Sequence, residues 1–174
     1  MNILEELGLK YGTDKIGKHH YLPIYHEMFK DRRNKVKKVL EIGPAEGAGL
    51  KMLRDYFPNA TIYGAEIDQD RVYKLQGLER IEVFKCDQSE IVDLYKILDL
   101  AGKDLDIVID DGSHKPEDQL FTAINLISML RKGAIYIIED VADSSLLEKL
   151  NFYFKCDLLR VGKRYDDQII ICKK

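Results

Sequence analysis

Apolar residues recur in this chain as short unbroken runs, each followed by a stretch of helical spacing. The run Val39-Leu40-Glu41-Ile42 ends at Gly43, and Leu50, Leu53 and Phe57 then repeat at i, i+3 and i+7 until Pro58-Asn59 breaks the pattern. Thr61–Ala65 precedes a short polar helix around Arg71–Leu75, and Ile81–Phe84 precedes a stripe of Ile91, Leu94, Tyr95 and Leu98. Leu105–Ile109 is a fourth run. Behind it Pro116 suits a first helical position, Glu117 and Asp118 favour the first turn, and Leu120, Phe121, Ile124 and Ile127 carry the helix inward. Lys132-Gly133 stops that helix, and Ala134–Ile138 is a fifth run. Strands that are apolar throughout, alternating with amphipathic helices, predict a parallel sheet covered on both faces.

After Leu150 the pattern changes. Two extended runs, about Phe152–Arg160 and Gln168–Cys172, are joined by Gly162–Asp167, which leaves no room for a crossover helix, so they pair antiparallel. The expected fold is α/β: a doubly wound, mostly parallel seven-stranded sheet with an antiparallel C-terminal hairpin. There is no repeat, low-complexity stretch or linker, which predicts one domain over residues 1–174. Within it an amino-terminal segment, 1–35, precedes the core, 36–174. In that segment His20, Tyr21, Tyr25 and Phe29 have the spacing of a helix laid on the sheet edge.

Charge narrows the function classes. The 174 residues carry 27 basic and 30 acidic side chains, a net −3, which argues against a general polyanion binder because phosphate-backbone affinity needs surplus Lys and Arg. The basic cluster in Lys30–Lys38 is interrupted by Asp31 and Asn34 and reads as a solvated link. No apolar run approaches the roughly 20 residues that span a bilayer, and Asn2, Glu5 and Glu6 do not fit a signal peptide. Cys86, Cys156 and Cys172 are odd in number and lack CxxC spacing, so they are expected to be buried and reduced in a cytoplasmic protein.

Ligands of open α/β sheets bind outside the carboxyl ends of the strands, so the residues that follow each run carry the candidate chemistry. After the first come Gly43, Gly47 and Gly49, with Glu46 among them. Glycines let the backbone approach a ligand, and Glu46 would repel a pyrophosphate and suit a cationic or zwitterionic ligand. The loop reads equally as an ordinary strand-to-helix turn. Glu66, 23 residues beyond Gly43, can accept both ribose hydroxyls, or is a surface acid beside Asp68 and Asp70. Asp87-Gln88 can accept from an exocyclic amine, or cap a helix.

The fourth and fifth runs are more specific. Asp110-Asp111-Gly112-Ser113-His114 ends one and Glu139-Asp140 ends the other, so four carboxylates and an imidazole meet at the ends of two neighbouring strands. Acids so crowded repel unless neutralised. A hard dication such as Mg²⁺ takes oxygen ligands from them, and a histidine beside it is placed as base rather than ligand.

Together these residues resemble the class I S-adenosylmethionine-dependent methyltransferases, through Leu40-Glu41-Ile42-Gly43 with Gly47, Tyr63-Gly64-Ala65-Glu66, Cys86-Asp87 and the two acidic strand ends. Tyr11-Gly12-Thr13-Asp14-Lys15, His19-His20-Tyr21, Tyr25, Asp110–His114 and Ile138-Glu139-Asp140 are similar to the metal-dependent macrolide-sugar O-methyltransferases of the mycinamicin type. The resemblance implies a Rossmann-like fold, with Mg²⁺ held by Asp111, Glu139 and Asp140, and His114 as base. It also implies S-adenosylmethionine near Gly43, Glu66, Asp87, Gln88 and Asp110, with Lys15 and Tyr21 in an amino-terminal segment folded over it.

The implied reaction is methyl transfer to one hydroxyl of a sugar or other vicinal diol. The implied partners are a small-molecule substrate and further copies of the chain, with neither nucleic acid nor membrane. The macrolide-sugar enzymes are more than twice as long, so the acceptor is left open. Two rival readings remain: a nicotinamide-dependent oxidoreductase, against which the absence of GxGxxG and the last hairpin count, and a cofactor-binding module without chemistry.

Overall fold

The computed structural model describes residues 1–174. Two helices come first, α1 (Ile3–Tyr11) and α2 (Leu22–Phe29). An alternating series follows: β1 (Lys38–Ile42), α3 (Ala48–Tyr56), β2 (Thr61–Glu66), α4 (Gln69–Lys74), β3 (Ile81–Lys85), α5 (Ile91–Ala101), β4 (Ile107–Asp110), α6 (Pro116–Met129) and β5 (Ile135–Ile138). The chain ends in α7 (Ser145–Asn151), β6 (Lys155–Arg160) and β7 (Gln168–Lys173). The seven strands form one sheet in the order β3-β2-β1-β4-β5-β7-β6. β1 to β5 run parallel, while β7 runs antiparallel to both β5 and β6. The order reverses between β1 and β4, which places a crevice at their carboxyl ends.

Alternation along the strands builds two cores. Val39, Ile62, Ile107, Ile109, Ile135 and Ile137 face the layer of α1, α2 and α3. Leu40, Tyr63, Val108, Tyr136 and Ile138 face the layer of α5, α6 and α7. Both faces of the central strands are buried, which is why they read as unbroken apolar runs.

Four expectations need correction. The helix carrying Tyr25 and Phe29 is not on an edge, since β3 and β6 are the edges. It lies over the face of the sheet, where both rings share a core with Ile135, Ile137 and Ile169. The fourth strand is Ile107–Asp110 rather than 105–109. The sixth begins at Lys155, because Ser145–Asn151 forms α7 and Phe152–Phe154 connect it. The cysteines are not all reduced: the β6–β7 register sets Cys156 opposite Cys172, and the two form a disulfide. Cys86 alone is free and buried. A separation of 16 residues resembles no spacing motif, so only strand pairing could reveal this bond.

Candidate active site

A cleft of about 630 Å³ opens at the carboxyl ends of β1 to β4, a size suited to a small ligand or cofactor. Its floor is the β1–α3 loop. Gly43 has φ +77°, and a β-carbon there would strike the Asp111 carbonyl oxygen and come within 2.6 Å of the Gly112 Cα. The glycine therefore lets the loops after β1 and β4 touch. Gly43→Ala is expected to cost at least about 1–2 kcal/mol for the left-handed backbone alone, read as a lower urea midpoint. An unchanged midpoint would mean that the two loops can part without loss.

Glu66 holds that floor. It is buried, and its Oε2 accepts from the Ala45 amide at 3.0 Å while Oε1 accepts from the Asp68 amide at 2.9 Å. Each oxygen keeps a second lone pair, and Glu66 lines the cleft. Gln88 is a bracket: its amide nitrogen donates to Asp110 Oδ1 and Thr122 Oγ1, and its oxygen accepts from the Ser113 amide at 2.7 Å. Asp87 lines the cleft with a carboxylate that also accepts from the Ser89 amide and hydroxyl. From the amino-terminal segment, Gly12, Thr13, Asp14 and Lys15 form another wall.

Strand parity separates the acids. Asp110 follows Ile109 and turns to the α5–α6 side, where Tyr136 and Gln88 donate to it; burial pushes its carboxyl up to about 6. Asp110 is thus fully buried and does not line the cleft. Glu41, Asp111 and Glu139 point to the opposite side, toward the amino-terminal segment.

There Lys15, only 2% exposed, donates to Asp111 Oδ2 and Glu139 Oε2, both at 2.6 Å, and lies 3.2 Å from Glu41 Oε1. Burial alone would lower the ammonium, but Asp111, Glu139 and Glu41 outweigh it and hold it well above lysine's usual value. Against its own burial, Asp111 is drawn down to about 2 by Lys15 and His114. Burial pushes Glu139 and Glu41 up, with Lys15 the main opposing influence.

Asp140 and His114 complete the arrangement. Both have left-handed backbone, φ +51° and +58°, a conformation that Asp and His tolerate better than most residues. His114 Nε2 lies 3.0 Å from Asp111 Oδ1, and its Nδ1 lies 3.6 Å from Asp140 Oδ2. The hydrogen bond to Asp111 raises the imidazole above its usual value, against partial burial. Asp111, His114 and Asp140 each bring a ligand atom within 4.8 Å of the others. Glu139 is not among them; its Oε1 accepts from Tyr25 and its Oε2 from Lys15.

Tyr21 is buried away from the cleft and donates its hydroxyl to Asp140. His19, also buried, pairs with Asp167 at 2.9 Å and lies 3.5 Å from Asp140. Of the residues expected near the cofactor, Lys15, Gly43, Glu66, Asp87 and Gln88 line the cleft. Tyr21 and Asp110 stand behind it, each holding a neighbour. Glu41, His19, Tyr25 and Asp167 were not singled out from sequence as site residues. Glu41, His19 and Tyr25 lie within the motifs that carry the resemblance, Glu41 also as a charge inside an apolar strand, whereas Asp167 left no signal there.

No protein-family model matches the chain. It is 38% identical over 147 residues to the mycinamicin VI 2''-O-methyltransferase of Micromonospora griseorubida, covering 79% of this chain and 36% of that protein. It is 35% identical over 149 residues to the 8-demethyl-8-alpha-L-rhamnosyl tetracenomycin-C 2'-O-methyltransferase of Streptomyces olivaceus, covering 81% and 38%. The solved MycE methyltransferase from the mycinamycin biosynthetic pathway, in complex with Mg and SAH, matches with a TM-score of 0.80 at 28% identity, over 99% of this chain and 54% of that one.

The chain has the fold of the class I S-adenosylmethionine-dependent methyltransferases. Its relatives within that class are sugar O-methyltransferases of the mycinamicin and tetracenomycin type. The chain spans little more than a third of the length of these curated relatives.

Proposed function

We propose that this chain is the catalytic part of a Mg²⁺-dependent O-methyltransferase that moves the methyl of S-adenosylmethionine to a hydroxyl of a sugar or other vicinal diol. One observation carries the reading: Asp111, His114 and Asp140 converge within 4.8 Å beside a cleft of cofactor size. The donor set suits a hard dication. Glu41, Asp111, Glu139 and Asp140 are four carboxylates, faced by the single ammonium of Lys15 and by His114, and oxygen ligands are what Mg²⁺ prefers. The cleft suits a cationic cofactor as well, because Glu41 Oε2 is buried there without a hydrogen-bond partner.

In this reading Asp111, Asp140 and Glu139 hold the metal, Glu66 takes the ribose, and Asp87 and Gln88 lie beside the adenine. When bound, Mg²⁺ supplies Lewis-acid polarisation of the acceptor oxygens, and the sulfonium supplies an electrophilic methyl. The protein's own work is positional and protonic. Asp111 fixes the imidazole plane through its 3.0 Å contact, and His114, open to the cleft, removes the acceptor proton from its neutral form. Tyr21 and His19 keep Asp140 in its left-handed conformation, and the Gly43 contact keeps the Asp111 loop against the cofactor loop. A small-molecule acceptor, self-association and a cytoplasmic place of action belong to the same reading.

Mn²⁺ titration tests the metal site, and thermal unfolding tests the cofactor. Removing a group that only orients a metal ligand costs metal affinity about 10–100-fold, so loss of a ligand in Asp111→Asn is expected to cost at least as much. EDTA is expected to abolish turnover and Mg²⁺ to restore it. S-adenosylhomocysteine, but not NAD, is expected to raise the unfolding temperature. Protection by NAD alone would favour an oxidoreductase. Cofactor binding with no methylated product from any diol-bearing sugar or phenol would favour a module without chemistry.

A further inference from the structure

Lys15 is the one cation buried among the acids at the strand ends, and the proposed reaction gives its ammonium no step. Its contacts are those a metal would take. It donates at 2.6 Å to Asp111 Oδ2 and at 2.6 Å to Glu139 Oε2, from a position 96 residues before the first and 124 before the second. Each oxygen of Glu139 already accepts one hydrogen bond, Oε1 from Tyr25 and Oε2 from Lys15. The three groups that already converge, Asp111, His114 and Asp140, leave Glu139 out. An ammonium and a dication on the same two carboxylates also repel each other, strongly so where solvent is excluded.

The segment bearing Lys15 is a turn between α1 and α2 that lines the cleft through Gly12, Thr13 and Asp14. Gly12 and Gly17 flank it with φ +69° and +86°, and neither has an atom near the space a β-carbon would fill. Lys15 thus sits on a turn with exposed, left-handed glycines on either side, and its ammonium reaches inward to the buried acids.

We propose that Lys15 is a resident cation that competes with the divalent metal for Asp111 and Glu139, so that the α1–α2 turn sets the metal affinity of the site. The inference rests on the metal site proposed above. In the metal-free protein the ammonium neutralises Asp111, Glu139 and Glu41. With Glu139 as a metal ligand, repulsion by the dication drives the ammonium away from Glu139 Oε2, and the α1–α2 turn moves with it.

The test uses Mn²⁺ without cofactor, in two measurements. Calorimetric titration compares the unsubstituted protein with Lys15→Met, whose folding is checked by circular dichroism; Lys15→Met is expected to bind Mn²⁺ at least tenfold more tightly. Acetylation of the unsubstituted protein, followed by mass spectrometry, reads the reactivity of Lys15 directly. Lys15 is expected to be protected without metal and to react faster with saturating Mn²⁺.

A folded Lys15→Met protein that binds Mn²⁺ no more tightly overturns the proposal. If that variant does not fold, a Lys15 equally protected with and without Mn²⁺ overturns it. Mn²⁺ binding that is weakened by Asp111→Asn but silent at Lys15 rejects the competition and keeps the metal site. Mn²⁺ binding that Asp111→Asn does not weaken rejects both.

Discussion

Replacing His114 with alanine is expected to lower kcat by about two to four orders of magnitude, the usual contribution of a positioned general base, while S-adenosylhomocysteine binding changes little. The separation follows from geometry. His114 reaches Asp111 and Asp140 but none of the groups that hold the cleft floor, which are Glu66, Gln88 and the Gly43 contact. Its side chain is 43% exposed, so truncation leaves no buried void. The measurement is single-turnover methylation of a sugar acceptor beside calorimetric titration with S-adenosylhomocysteine. Full activity in the variant would remove His114 from the chemistry, and a parallel loss of cofactor affinity would make it structural.

The second large effect concerns stability. Without metal, Lys15→Met is expected to destabilise the protein by about 3–5 kcal/mol, because removing one partner of a buried ion cluster leaves the others uncompensated. Lys15 and Glu139 are almost fully buried, and Glu41 is 1% exposed with one oxygen already unpartnered. Urea unfolding in EDTA reads the loss.

The pH dependence has a definite sign. Glu41 and Glu139 are held above the ordinary glutamate value of 4.5 by burial, so each binds its proton more tightly in the fold than in the unfolded chain. Their contribution is most favourable below the unfolded value and falls as pH rises through the folded one. Removal of Lys15 widens that gap, so the deficit of the variant should shrink as pH falls toward 4.5. Mn²⁺ should also recover part of it, since a ligand bound only by the native state adds to its stability. A loss below about 1 kcal/mol would mean that Lys15 is not what compensates the three acids.

Much of this protein is legible in one dimension. The alternation of apolar runs and helical stripes determines five parallel strands, and the short Gly162–Asp167 link determines the antiparallel hairpin, because no crossover fits. Asp111, His114 and Asp140 could be named because they follow strands that a parallel sheet must align. The helix α7 is not legible in the sequence because its seven residues, Ser145–Asn151, are too few to show a repeating helical stripe.

The way neighbouring acids divide was decided by tertiary structure. Asp110 and Asp111 differ by one residue, and a period of two sends one to Tyr136 and the other to Lys15. Which face each takes depends on the pairing register, and register is a property of the assembled sheet. The Cys156–Cys172 bond has the same origin.

Composition and periodicity thus determined an α/β sheet with an acidic crevice. The tertiary structure decided that the ammonium of Lys15 pairs with Asp111 and Glu139 in that crevice. Low-dielectric burial makes charges pair with whatever opposite charge the chain can deliver, at any distance along the sequence.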